Sequence, residues 1–186
     1  MTSYIDICIR NESKTNRQYL LNLARDPKLD KNTNVIYIYS LVGKAVNYPI
    51  KCGHVIYIGE AGRSSEPTGR RFGQHISTEA SVGGDSGTIY ALSQYYWLGN
   101  QIRLRIFLVE SREKRKEHER SLLRAHVKEY GALPICQGTT GENYKTTELS
   151  TLNITNDHRA LIDPASNISP QRRWERRWRS APELGR

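Results

Sequence analysis

The chain has 186 residues, 37% hydrophobic and 25% charged, with a formal net charge of +9. That length suits one domain with appendages, and no run approaches the ~18 apolar residues of a membrane span. The positive excess points to an anionic partner, of which nucleic acid is the commonest.

The chain begins Met1-Thr2-Ser3-Tyr4-Ile5-Asp6, with no basic region leading into an apolar stretch, so the expected compartment is cytoplasmic. Cys8, Cys52 and Cys136 are odd in number and far apart, without a CxxC pair for zinc or redox chemistry. They read as small buried apolar residues. Residues 1–33 read as a polar lead with one helix around Asn16–Arg25, where Tyr19, Leu20, Leu23 and Ala24 recur at helical spacing. The expectation is a lid or buttress outside the core.

Asn34–Leu41 and His54–Gly59 are rich in Val, Ile and Tyr and are separated by Gly43, Pro49 and Gly53, which predicts two antiparallel strands joined by a long loop. Val35, Tyr37 and Tyr39 then share one face. A helix over about Pro67–Ser77 sets Phe72 and Ile76 on one side and Arg71 and His75 together on another. Beyond Gly83-Gly84-Asp85-Ser86-Gly87, Thr88–Leu98 reads as a helix carrying Tyr95, Tyr96 and Trp97. Ile102–Val109 alternates as a third strand should, and Lys114–Tyr130 forms a charged helix ended by Gly131 and Pro134.

Thr139–Pro170 is dense in Thr, Ser and Asn and reads as extended or loosely folded. The chain closes on Arg172-Arg173-Trp174-Glu175-Arg176-Arg177-Trp178-Arg179, and residues 171–186 hold six arginines against two glutamates. Arginine clusters of this kind bind phosphate without sequence choice, and the indoles at 174 and 178 could stack on bases or pin the arginines against the body. The organisation is therefore a lead (1–33), a core (34–138) and a polar extension with a basic tail (139–186).

The order of parts is a strand with Ile36-Tyr37-Ile38, a strand with Tyr57-Ile58-Gly59, a helix with Arg71 and His75, a third strand, and a helix with a carboxylate. This resembles the GIY-YIG nuclease family over roughly Asn34 to Gln137. The second motif is literal; the first is Val35-Ile36-Tyr37, with valine where the name has glycine. The resemblance implies an α/β fold, with a small central antiparallel sheet of three or more strands flanked by helices. It also implies a divalent-metal-dependent endonuclease that hydrolyses DNA phosphodiester bonds with Mg²⁺ or Mn²⁺.

Phosphodiester hydrolysis needs a water stripped of its proton, positive charge on the non-bridging oxygens and help for the leaving oxygen. By resemblance, Tyr37 acts as the general base or relays to it, Tyr57 orients water or phosphate, and Arg71 holds the phosphate. Arg70 is the rival arginine, about 100° away around the helix. Some restriction enzymes of the family share the Arg-x-x-x-His spacing, in which the histidine assists the tyrosine; here that residue is His75. Glu60 stands where several members carry a cation, leaving Arg63 as a substitute, and Gly59 would leave room for the backbone to approach a ligand, although a glycine ending a strand also serves as a plain turn. Packing alone also explains two tyrosines on a sheet, since aromatic residues are good strand formers.

The family's metal ligand is a lone carboxylate on the late helix. Of Glu110, Glu113, Glu117 and Glu119, only Glu119 lies on the stripe continued by Leu122, Leu123, His126, Val127 and Tyr130. His118-Glu119 resembles half of a HExxH zinc site, but position 122 is leucine. The family's later asparagine is matched by Gln137 in Pro134-Ile135-Cys136-Gln137, with Asn143 as rival. Phosphate contacts are expected from Arg63, Arg70, Arg172, Arg173, Arg176 and Arg177. The partner is expected to be double-stranded DNA, and a two-fold target would call for a homodimer. The restriction-enzyme branch is preferred on the Arg71/His75 spacing. A homing, repair or RNA-directed nuclease shares the same core, and a non-catalytic nucleic-acid-binding module is the reading from another class.

Overall fold

The computed structural model describes residues 2–80, 87–137 and 155–162. In chain order its elements are strand β1 (Ile5–Ile9), helix α1 (Arg17–Asn22), β2 (Asn34–Leu41), the short β3 (Val46–Asn47) and β4 (Cys52–Gly53), β5 (Val55–Ala61), α2 (Arg70–Gln74), α3 (Tyr90–Trp97), β6 (Ile102–Val109), α4 (Arg112–Tyr130) and α5 (Asn156–Ile162). Single 3₁₀ turns at Leu23–Arg25 and Pro27–Leu29 follow α1. The class is α+β. The main sheet runs β1-β6-β2-β5, every neighbouring pair antiparallel.

β2 lies between β6 and β5, and all its residues from Val35 to Leu41 are buried. A strand reads as a continuous apolar run when both faces of its sheet are covered, and here they are. Val35, Tyr37, Tyr39 and Leu41 face a cluster with Leu20, Phe72, Ile76, Leu92 and Tyr96. Ile36 and Ile38 face a second cluster with Phe107, Leu122, Leu123 and Ala125 of the α4 layer. α4 starts at Ser111, whose side chain accepts from Lys114 N, and stops at Gly131, which takes a left-handed φ of 80° as helix C-termini commonly do.

The lead departs from the sequence expectation. β1 pairs with β6 from Ile5 opposite Ile106 to Ile9 opposite Ile102, and Ile9, Leu20 and Leu29 are fully buried in the core. Burying each contributes about 1.5–3 kcal/mol, so the three together rival a domain's net stability of roughly 5–15 kcal/mol. The expected lid is part of the core because Ile9, Leu20, Leu23 and Leu29 turn inward, Leu21 alone among its leucines being exposed.

Other differences are smaller. The helix expected over 67–77 is a single turn, Arg70–Gln74, since residues 67–69 form the turn before it. The loop between the first two expected strands carries its own β3–β4 ladder. Part of the stretch expected to be extended, Asn156–Ile162, is helical and buries His158 and Ile162. Of the cysteines, Cys136 is buried as expected and Cys8 half-buried, but Cys52 is exposed, its Sγ 3.0 Å from Asn47 Oδ1. Among the described residues, no helix is long and apolar enough to cross a membrane.

Candidate active site at the open edge of the sheet

The β2–β5 register sets Tyr37 opposite Gly59 and Tyr39 opposite Tyr57, so the three phenols stand on one face. Tyr37 and Tyr57 are diagonal neighbours across this pair, still within reach of aromatic side chains. The Tyr37 and Tyr57 rings stack, with centroids 6.1 Å apart and planes 18° from parallel. Gly59 permits this. A Cβ there would lie 2.6 Å from the Tyr37 hydroxyl and 2.7 Å from the Tyr57 ring, so the space is occupied by the phenols themselves. The room expected at Gly59 for the backbone to approach a ligand is filled from within the protein.

α2 is seated by the lead. Gly69 N donates to Leu29 O at 2.8 Å and Thr68 Oγ1 to Thr33 O at 2.8 Å. A Cβ at Gly69 would sit 2.0 Å from the Leu23 carbonyl oxygen, so only glycine allows this approach. Just beyond the helix, Ile89 N donates to His75 O, Arg17 Nε to Ile76 O, and Ser77 N to Ser93 Oγ, all between 2.7 and 3.0 Å. His75 is thus held by its own backbone and by both adjoining helices. It turns inward beside Phe72, and Arg71 acts on it and on Tyr37 from the same helix, as the i,i+4 spacing predicts.

The imidazole of His75 is fully buried. Its Nδ1 is 2.8 Å from the Tyr39 hydroxyl and its Nε2 3.3 Å from the Tyr37 hydroxyl. Burial drives its pKa well below the ordinary histidine value, and the Arg71 and Arg63 cations push the same way, so the ring is neutral. Burial also raises the Tyr37 phenol well above its usual value, with the Tyr57 phenol adding to this; Arg71 opposes both through its charge and a hydrogen bond. Tyr39 is raised likewise by burial and by Tyr57, against the pull of Arg71.

The two candidate arginines are separated by geometry. Arg71 is half-buried and acts on Tyr37, Tyr39, Tyr57 and His75. Arg70 has a 62% exposed side chain and pairs with Glu66 at 2.8 Å. Arg63 also pairs with Glu66 and donates to Gln74 Oε1 at 2.7 Å; burial, Arg71 and Arg70 lower its pKa, and Tyr37 opposes them. Glu60 points to the other face, where Oε2 meets Arg115 Nε at 2.5 Å. It therefore has no part beside the phenols.

β5 is a sheet edge, and the two covering layers meet there. Tyr57, half-buried, is raised by burial and then by the charge of Glu119 on α4, while Arg71 and a hydrogen bond with Tyr37 lower it. Cys136 N donates to Ile56 O at 2.9 Å, and Gln137 Oε1 accepts from Ile58 N at 3.4 Å. Gln137 thus caps the edge beside Tyr57. Of the rival carboxylates, Glu117 pairs with Lys114 at 3.1 Å, and Glu113 lies exposed in the first turn of α4, near Ser111. Glu110 lines a cavity of about 420 Å³ with Lys114 and His118, apart from the phenols.

Tyr37, Tyr57, Arg71, His75, Glu119 and Gln137 therefore gather at one edge. Asn143, Arg172, Arg173, Arg176 and Arg177 lie outside the described residues. Sequence reasoning placed Tyr39 on the correct face but gave it no task; its period-two spacing from Tyr37 was the available signal. No protein-family model, curated protein or solved structure matches the chain.

Proposed function

We propose that the chain is a divalent-metal-dependent DNA endonuclease of GIY-YIG type, hydrolysing phosphodiester bonds, with the restriction-enzyme branch as its subclass. The observation that carries this reading is the convergence at the β5 edge of two stacked phenols, an arginine, a histidine and a carboxylate, supplied by four elements. Aromatic packing alone would need neither Arg71 nor Glu119 drawn to the phenols.

In this reading the half-buried Arg71 holds the non-bridging phosphate oxygens in its fork. Tyr57, the phenol at the open edge, orients the attacking water. Tyr37 stands behind it at 1% exposure, where Arg71 partly offsets the burial that opposes its ionisation. Glu119 would hold a hard cation beside Tyr57, since Mg²⁺ commonly uses one or two carboxylates with waters and substrate phosphate. When bound, such an ion supplies Lewis acidity to the phosphate and eases loss of the water's proton. Arg63 and Arg70 flank the site and would hold neighbouring phosphates without sequence choice. A two-fold DNA target would be met by a homodimer.

The depth of Tyr37 favours a second reading, a nucleic-acid-binding module without catalysis, because a phenol raised so far above 10 by burial resists acting as a base. Incubating supercoiled plasmid with the protein in Mg²⁺ or Mn²⁺, with EDTA as control, separates the two. Cutting that EDTA stops supports the nuclease. Gel retardation without cutting in either metal would leave the binding module.

A further inference from the structure

The three hydroxyls and one imidazole behind the β5 edge form a chain whose direction can be worked out from its buried end. Tyr39 is fully buried, and among the described residues its hydroxyl has one hydrogen-bond partner, His75 Nδ1, at 2.8 Å. A buried donor left without an acceptor is costlier than an acceptor with a spare lone pair. The Tyr39 hydrogen therefore belongs on Nδ1. A neutral imidazole carries one N–H, so accepting at Nδ1 puts that hydrogen on Nε2, facing Tyr37 at 3.3 Å. The Tyr37 oxygen then accepts from His75 with the Arg71 cation beside it, and its own hydrogen is left to turn toward Tyr57, whose ring stacks on that of Tyr37.

We infer that Tyr39 is a positioning residue that locks His75 in the Nε2–H tautomer, so that the histidine donates to Tyr37 and orders the chain Tyr39 to His75 to Tyr37 to Tyr57. The histidine is then no acceptor for the Tyr37 proton. With Arg71 it supplies a second donor to the Tyr37 oxygen, which turns the Tyr37 hydroxyl toward the phenol at the open edge. A strand residue two places after the motif tyrosine thus sets the polarity of the site. The consequence for turnover rests on the phosphodiesterase reading above; the tautomer does not.

The test is long-range ¹H–¹⁵N NMR of the imidazoles in the full-length, metal-free protein, with His75 assigned by its loss in His75→Gln. The expected wild-type spectrum has a protonated, pyrrole-type Nε2 and a pyridine-type Nδ1, and Tyr39→Phe should mix or reverse the two. A wild-type Nδ1–H tautomer overturns the proposal, as does an Nε2–H tautomer that survives Tyr39→Phe. Where wild type cleaves plasmid in Mg²⁺, Tyr39→Phe should lower kcat roughly tenfold, less than the ~10²–10⁴ of a direct general acid–base contribution because Tyr39 acts through His75, with KM unchanged. Full kcat in a variant that has lost the tautomer would overturn the positioning role. Absence of cleavage by wild type would defeat the nuclease reading, and the NMR result would still decide the tautomer.

Discussion

Gly59 and Tyr37 face each other across the β2–β5 ladder, and the space left by the missing side chain holds the Tyr37 hydroxyl. The glycine of the Tyr57-Ile58-Gly59 motif is therefore a condition for the two phenols to meet. Gly59→Ala should keep the fold by circular dichroism but cost about 1–3 kcal/mol, the usual penalty for forcing an extra methyl into a packed site. Cleavage should fall further than the residual stability explains, because the rings must part. Denaturant midpoints and plasmid cutting measured on one preparation check this, and wild-type values for both would mean the phenols have slack.

Arg71 and Arg70 adjoin in sequence, yet one is turned to the phenols and the other to solvent and Glu66. Arg71→Ala should reduce turnover by ~10²–10³, the scale seen on removing one charge-stabilising donor. Arg70→Ala should act on binding, and more strongly at low salt, as for any exposed phosphate contact. Single-turnover rates and a salt series distinguish them; equal loss of turnover in both variants would contradict the geometry.

Glu119→Gln keeps the side chain's size while removing its charge. It should abolish Mg²⁺-dependent cutting and leave DNA binding intact or tighter. A second readout needs no metal. The Glu119 charge is among the causes raising Tyr57, so the substitution should bring Tyr57 ionisation to lower pH in an alkaline absorbance titration. Retained cutting would remove the metal role from Glu119, with neither Glu60, occupied by Arg115 on the other face, nor Glu110, apart from the phenols, placed to take it.

The site was legible in the sequence where it depends on periodicity. Strand alternation gave the shared face of Val35, Tyr37 and Tyr39, and the helical stripe selected Glu119 from four carboxylates. What could not be read was tertiary. The short runs in residues 2–33 look too polar for core, and only the pairing of β1 with β6 and the docking of Leu20 beneath α2 reveal their use. His75 was assigned one partner because spacing along a helix carries no information on depth. Its second partner, Tyr39, follows from the complete burial of the ring between the strand and α2.

The buried histidine also predicts how the fold responds to acid. His75 has an ordinary value of 6.5 in the unfolded chain and lies well below it when folded, chiefly by burial. His126 and His158 are lowered in the same direction, again with burial first. As pH falls through about 6.5 the unfolded chain takes up protons that the folded chain refuses, so stability declines with falling pH until each folded value is reached. Each such group contributes a slope of at most about 1.4 kcal/mol per pH unit. Asp6, Glu113 and Glu117 are lowered below their ordinary values of 3.8 to 4.5, so their effect begins at lower pH and leaves the interval from about 6.5 to 5 to the histidines. Urea midpoints at steps across that interval should fall for wild type and fall less steeply for His75→Gln, whatever the variant loses at neutral pH from the stranded tyrosine hydroxyls. Parallel curves would mean that His75 is protonated in the folded protein, and the neutral ring on which its contacts with Tyr37 and Tyr39 depend would be lost with it.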